Sequence, residues 1–315
     1  MTRWGARDQK LDVIPTDRDR STFRVRDRRF QLTNLKKVLW AKSGMTKAEL
    51  LQYYVDVSDA LLPHLADRPV LLRRYPNGPA SAGFSMRRPP TPRPGWITTC
   101  AVEPSDARAA VLPVIDDLSS LLWTVNLGCI EISPFSARRD ALDRPDHLCF
   151  TVEAGDSSFG HVREGALVLR DALLSRGMTP YVKTDGWTGL HVYVPIIRGP
   201  LPQHVSRVGG DIVSAVLQKH ERIFTTERRP ALQRPGTVLL AHRPSGAEAP
   251  LAAVYSARAH PLGGVSTPLA WEELSADPTE DWHIDNVPSR VRNLGDLWAG
   301  VTPGAPGRFD LSNVV

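Results

Sequence analysis

Between Asp146 and Ile196 the apolar residues change their period twice, and few architectures accept that order. "DHLCFTVEAG" reads as a buried strand stopped by a glycine turn. "HVREGALVLRDALLSRGM" then returns at helical spacing and is closed by Gly177, and "YVKTDG" and "GLHVYVPI" read as two strands about a glycine-rich turn. Strands and a helix mixed this way need a sheet at the centre with helices laid against it. The flanking segments extend the pattern. "GMTKAELLQYYVDVSDALLPHL" sets Leu50, Leu51, Tyr54, Val57, Leu61 and Leu62 on one helical face, with Thr46 as N-cap and Glu49 completing a capping box. "RPVLLRRYPNG" alternates as a strand up to an Asn-Gly turn, and Ile115 to Leu127 reads as a helix opened by two aspartates. "CIEISPF" and "TVLLAH" read as strands, "DIVSAVLQKHERIF" as a helix and "TPLAWEEL" as a capped terminal helix. The expectation is an α/β (α+β) fold with no internal repeat, in which "RRPPTPRPGW" forms an irregular loop because its prolines donate to no ladder.

Residues 1–30 mix Arg and Asp with few apolar side chains and are expected to form a flexible basic arm; 31–300 form the folded domain and 301–315 a tail. A length of 315 residues with 42% hydrophobic content supports a sizeable core, and a net charge of +5 with a pI near 9.3 favours a polyanionic partner. Cys100, Cys129 and Cys149 are far apart and odd in number, so neither a disulfide framework nor a zinc site is expected. With no apolar run of about 18 residues and no apolar stretch in "MTRWGARDQKLD" to act as a secretion signal, the expected location is cytoplasmic. No P-loop, GxGxxG turn, HExxH or GxSxG motif occurs. "KTDG" carries the Lys-x-Asp-Gly of covalent lysyl-AMP ligases, but Thr188 stands where their arginine belongs, and no other ligase motif accompanies it.

The words "LTNLKKVLW", "TKAELLQYY", "LLPHLADRPVLLRRYPNG", "NLGCIEISPF", "RPDHLCF", "KTDGWTGLHVYVPI" and "AAVYSARA", in that order, resemble the polymerase domain of bacterial ligase D. That is a primase-polymerase of the archaeo-eukaryotic primase superfamily, used in non-homologous end joining. The resemblance covers roughly residues 30 to 290 and implies a primase-like core with a central mixed or antiparallel sheet flanked by helices. In that family the strand matching "CFTVEAG" carries an Asp-x-Asp pair and a later strand a third Asp, which together hold two divalent ions. Those positions are Thr151, Glu153 and Ala241 here, so no intact catalytic set and no metal ligand set is expected. The family's triphosphate contacts fall on Asp185 in place of a serine, Thr188 in place of a lysine, Ser133 in place of a histidine, and on His191 and Arg258, which are retained. A 5'-phosphate pocket is implied intact at Asn34, Lys37 and Lys47, where lysines and a helix N-terminus make a ready anion site. Arg73 and Arg74 match basic residues near the template. Phe84 matches the first of two base-contacting aromatics, the second being Ser85.

The expected function is therefore binding of 5'-phosphorylated DNA ends or gaps by a domain of the end-joining type with catalysis lost or strongly impaired. No cofactor is expected, or Mg2+ or Mn2+ if activity remains; end-joining proteins such as Ku or a separate ligase are expected partners, at the nucleoid and away from membranes. Two alternatives stay open at the sequence level. One is residual nucleotidyl transfer through a metal site improvised from Glu153, Asp156 and Asp185; the other is a protein-interaction module.

Overall fold

The structure, a computed structural model, describes residues 13–103, 109–244, 250–274 and 282–313. It opens with a hairpin, β1 (Arg20–Val25) and β2 (Arg28–Thr33), which puts Phe23 and Leu32 in the core. The flexible arm expected up to residue 30 therefore does not hold from Arg20 onward, because the alternation of Phe23 and Val25 with arginines gives that stretch one buriable face. Residues 1–12 of the arm lie outside the described residues.

A short pair, β3 (Val38–Trp40) and β4 (Met45–Thr46), delivers the chain to α1 (Lys47–Asp56), where Thr46 and Glu49 form the expected capping box. The single helix expected over this region is two. Ser58 turns its hydroxyl back to the carbonyl of Val55, the helix breaks at Val57, and α2 (Ser58–Leu65) starts afresh. β5 (Val70–Arg74) and β6 (Phe84–Met86) follow, then the hairpin β7 (Thr99–Val102) and β8 (Ala110–Pro113). α3 (Leu118–Asn126) is capped by Asp117 and leads into β9 (Cys129–Pro134), which pairs with β5. One core lies between this three-stranded sheet and helices α1 to α3.

β10 (His147–Glu153), α4 (Phe159–Leu174), β11 (Tyr181–Thr184) and β12 (Leu190–Pro195) reproduce the opening sequence pattern. α5 (Pro202–Lys219) begins nine residues before the segment expected to be helical, with proline in its first turn, and ends short of β13 (Phe224–Thr225). β14 (Val238–His242) and β15 (Pro268–Leu269) complete a mixed sheet of order β13-β14-β10-β12-β11-β15, parallel only at β13 and β14. Leu148, Phe150 and Val152 of β10 point with Val192 and Leu240 into a second core under α4 and α5. The odd residues of β10 therefore face the other way, toward the first core.

"TPLAWEEL" does not form the terminal helix expected. Its first residues pair with β11, and only a 3-10 turn, Trp271–Leu274, remains, capped by Glu273 on the N–H of Ala270. The last helix is α6 (Val287–Leu294). The tail expected from residue 301 docks on the sheet: Leu311 is fully buried, and the guanidinium of Arg308 donates to the carbonyls of Asp146, Ile196, Val301 and Thr302. Among the described residues no helix is long and apolar enough to cross a membrane.

Candidate functional site

The positions flagged by the resemblance fall into two places. In the first, antiparallel register sets Ala241 of β14 opposite Thr151 of β10, Thr151 opposite His191 of β12, and His191 opposite Lys183 of β11. Residues directly opposite across antiparallel strands share a face, so these four form one row on the side of the sheet away from α4 and α5. Glu153 continues this face at the end of β10 and is half-buried. The register thus sets Thr151 beside Ala241, with Glu153 two residues further along β10 opposite Leu239.

What the row contains is not a metal-binding set. Ala241 has no donor atom and Thr151 only a hydroxyl. The fully buried Lys183 brings an ammonium 2.9 Å from Nδ1 of His191 and 2.5 Å from Oγ of Ser266. Two divalent ions need several hard oxygen ligands and are repelled by a resident cation, so the side chains present do not fit them. Among the described residues no three His, Cys, Asp or Glu side chains converge as ligands. When the Lys183 ammonium donates to Nδ1 of His191, Nε2 carries the ring hydrogen. Burial, reinforced by Lys183, Arg258 and Arg243, holds His191 neutral, well below the usual histidine range. Burial likewise lowers Lys183 to about 7.

Asp185 does not face this row as a bare anion. Its Oδ1 accepts from the N–H groups of Trp187 at 2.7 Å and Gly189 at 3.0 Å, so it locks the turn between β11 and β12, and burial raises its carboxyl above the ordinary value. That use commits Oδ1 of Asp185 to the turn, while Asp156 lies exposed beyond the strand. Gly186 has a φ of +80°, and a Cβ there would run into the side chain of Arg258, so the turn and the arginine are packed together. Thr188 is exposed and Ser133 half-buried on β9. Arg258 reaches Glu131 at 3.6 Å, and the same buried carboxylate takes the N–H of Ala259 and the hydroxyl of Tyr75 and lies 3.8 Å from Arg73.

The second place is the entrance to α1. Asn34 sits in the left-handed region, φ +57°, and its carbonyl accepts from the N–H of Lys37; the carbonyl of Lys37 accepts from the N–H of Lys47. Asn34 and Lys37 are exposed. Lys47 is buried and gives its ammonium to the carbonyls of Thr33 and Asn126, at 2.7 and 2.6 Å. Burial lowers Lys47 to about 8, and Lys37 and Arg74 push in the same direction. The first N–H groups of the helix N-terminus expected to contribute to an anion site are taken within the protein: Lys47 and Ala48 donate to the carbonyls of Lys37 and Leu35, and Glu49 donates to the Thr46 hydroxyl of the expected capping box. Lys37 also holds the carbonyl of Pro76. Beside this patch Arg74 lies over the ring of Phe84, itself 48% exposed, and Arg73 is half-exposed with Ser85 opposite it.

Sequence reasoning missed Lys183, Glu131 and Arg243. A charged residue inside the apolar words "CIEISPF" and "YVKTDG" was the available signal. It also passed over Trp187, half-exposed on the β11–β12 turn with its ring 4.9 Å from that of His260.

A mixed sheet covered on one face by two helices, with a polar row on the other face, is the frame of a primase-polymerase-type domain. The family model described as LigD, primase-polymerase domain, matches residues 46–298, and the chain belongs to that family. It is 27% identical over 281 residues to the multifunctional non-homologous end joining protein LigD of Mycolicibacterium smegmatis, covering 88% of this chain and 37% of that protein. It is 28% identical over 271 residues to the bifunctional non-homologous end joining protein LigD of Bacillus subtilis, covering 85% and 43%. The chain thus spans about two fifths of these curated relatives. Among solved structures, the polymerase domain from Mycobacterium tuberculosis ligase D in complex with DNA superimposes with a TM-score of 0.81 at 26% identity, over 87% of this chain and 98% of that one.

Proposed function

We propose that this chain is an end-joining polymerase domain that has kept DNA-end binding and lost metal-dependent nucleotidyl transfer. The observation that carries the reading is the contrast between its two sites: the row Ala241–Thr151–His191–Lys183 offers a cation where metal ligands belong, while Asn34, Lys37, Lys47 and Arg74 gather into one basic patch. The patch receives a 5'-phosphate of a DNA end or gap through the exposed Asn34 and Lys37, with Lys47 holding the backbone around them and contributing charge. Arg73, Arg74 and Phe84 form the adjoining strand contact, an arginine-backed aromatic suited to a base. The similarity to a ligase D domain solved with DNA supports this reading, as does the net charge of +5. Such a domain acts at the nucleoid beside the proteins of the same repair process, Ku and a ligase encoded separately or in the same polypeptide.

Two measurements test it. Gapped DNA with a 5'-phosphate should bind more tightly than the same DNA with a 5'-hydroxyl, by about 1 to 3 kcal/mol. Lys37→Ala should remove that preference and lower the log-log salt slope by roughly one. Templated extension with Mg2+ or Mn2+ should fall roughly a thousandfold or more below that of the relatives. Equal affinity for both ends would refute the binding half, and robust incorporation abolished by Glu153→Ala the catalytic half.

A further inference from the structure

A large aromatic ring held in water at the tip of a turn is costly unless something covers it, and Trp187, between β11 and β12, is 52% exposed. The turn beneath it is stiff. Oδ1 of Asp185 accepts the N–H of Trp187 itself, Gly186 is held in the left-handed region against the side chain of Arg258, and a Cβ on Gly264 would strike the carbonyl of Gly186. The indole stands perpendicular to the ring of His260, and His260 stacks in turn on His283. A ring fixed in this way has little freedom left to lose on binding. Its surroundings show what it would meet. The carbonyl of His260 accepts from Nε1 of Trp40, which ties the His260 turn to the strand that begins beside the exposed Lys37, three residues or roughly 10 Å of chain away. Val38 on that strand and Leu262 on the turn are exposed apolar side chains. On the other flank Arg258 reaches Glu131, which Arg73 also approaches from the strand paired with Phe84 and Ser85. Aromatic and apolar surface is thus interleaved with cations, the complement of a chain that alternates bases with phosphates. A duplex keeps the faces of its bases stacked inside and offers none to Trp187.

We propose that Trp187 is a base-stacking platform for the unpaired DNA next to a 5'-phosphate, so that affinity depends on this ring wherever a single-stranded stretch is present. The inference rests on the reading that Lys37 meets DNA and deepens it: Lys37 takes the phosphate, and Trp187 takes the face of an unpaired base. Stacking on an indole is tolerant of sequence, because every base has such a face. The residue therefore selects for strandedness and leaves base identity unread.

The test is fluorescence anisotropy of the full chain with two 5'-phosphorylated DNAs of one flanking sequence, one carrying a gap of unpaired thymidines and one nicked at the same place. The gapped DNA should bind more tightly. Trp187→Ala should weaken the gapped complex by about five- to a hundredfold and the nicked complex little, while Trp187→Phe keeps most of the difference. The side chain is exposed, so neither change removes a core contact. Oligothymidine should also quench the intrinsic fluorescence of the wild type, and the quench should shrink in Trp187→Phe. Gapped DNA bound as tightly by Trp187→Ala as by the wild type would overturn the proposal and leave the strip to a protein partner. A quench undiminished in Trp187→Phe would overturn it by placing the base on another ring. Loss of the preference for a 5'-phosphate over a 5'-hydroxyl in Trp187→Ala would also overturn it, by making Trp187 a support of the Lys37 patch. Failure of the Lys37 reading shows separately, as an absent 5'-phosphate preference in the wild type.

Discussion

At the residue scale the two buried lysines show how one residue type takes different work from its surroundings. Lys47 holds the α1 entrance together through two carbonyls, and burial lowers it to about 8 from its ordinary 10.5. Below pH 8 it is charged in both folded and unfolded chains, so its full burial penalty is present. Between pH 8 and 10.5 the unfolded chain binds the proton more tightly, so stability rises with pH until the penalty is gone. The stability of the wild type relative to Lys47→Met, from urea titrations at pH 7, 8.5 and 10, should climb over that window; a falling difference would show that Lys47 keeps its charge on folding. Asn34, Lys37 and Lys47 were grouped by the resemblance of the words around them, and Lys37 and Lys47 also meet through a backbone hydrogen bond. Lys183 was not legible in the sequence, since its meaning depends on His191 lying across a strand pair, and nothing in "YVKTDG" says which neighbour that is.

At the scale of elements, strands and helices follow closely from period and caps, and the departures have local causes: Ser58 bonding backward, Pro268 opening a strand, Pro202 starting a helix early. How the elements meet is set by small residues. Gly165 of α4 packs so near β10, β13 and β14 that a Cβ would press on Phe224, Val238 and Val152. Gly165→Leu should lift the helix from the sheet and cost about 1 to 3 kcal/mol. It should appear as a lower urea midpoint with unchanged m, and an unshifted midpoint would mean that α4 has room to move. The same layering fixes the site. Because Phe150 and Val152 must face α4 and α5, Thr151 must face the other way, and β14 in register brings Ala241 beside it.

For the whole molecule, the two cores are joined through the tyrosines 181 and 193, which pack from the larger sheet onto the first core, and through the chain end. Arg308 ties residues after the last helix to the ends of β10 and β12 with carbonyl bonds of 2.7 to 3.1 Å. Arg308→Ala should cost about 1.5 to 3 kcal/mol, the range for hydrogen bonds from a charged donor. Thermal unfolding that is unaltered by the change would show that the chain end adds nothing to the fold. By itself the sequence determined the fold class, most of the strands and helices, and that Thr151 and Ala241 bear no carboxylate, because period, caps and residue identity are properties of neighbours along the chain. Only the tertiary structure decided that a lysine stands in their row, that Asp185 closes a turn instead of facing a ligand, that the α1 N-terminus is already satisfied, and that the tail is part of the sheet's support. Each of those depends on which distant carbonyl, imidazole or amide a side chain meets once the sheet has fixed its register, and register is a relation between strands that no single strand encodes.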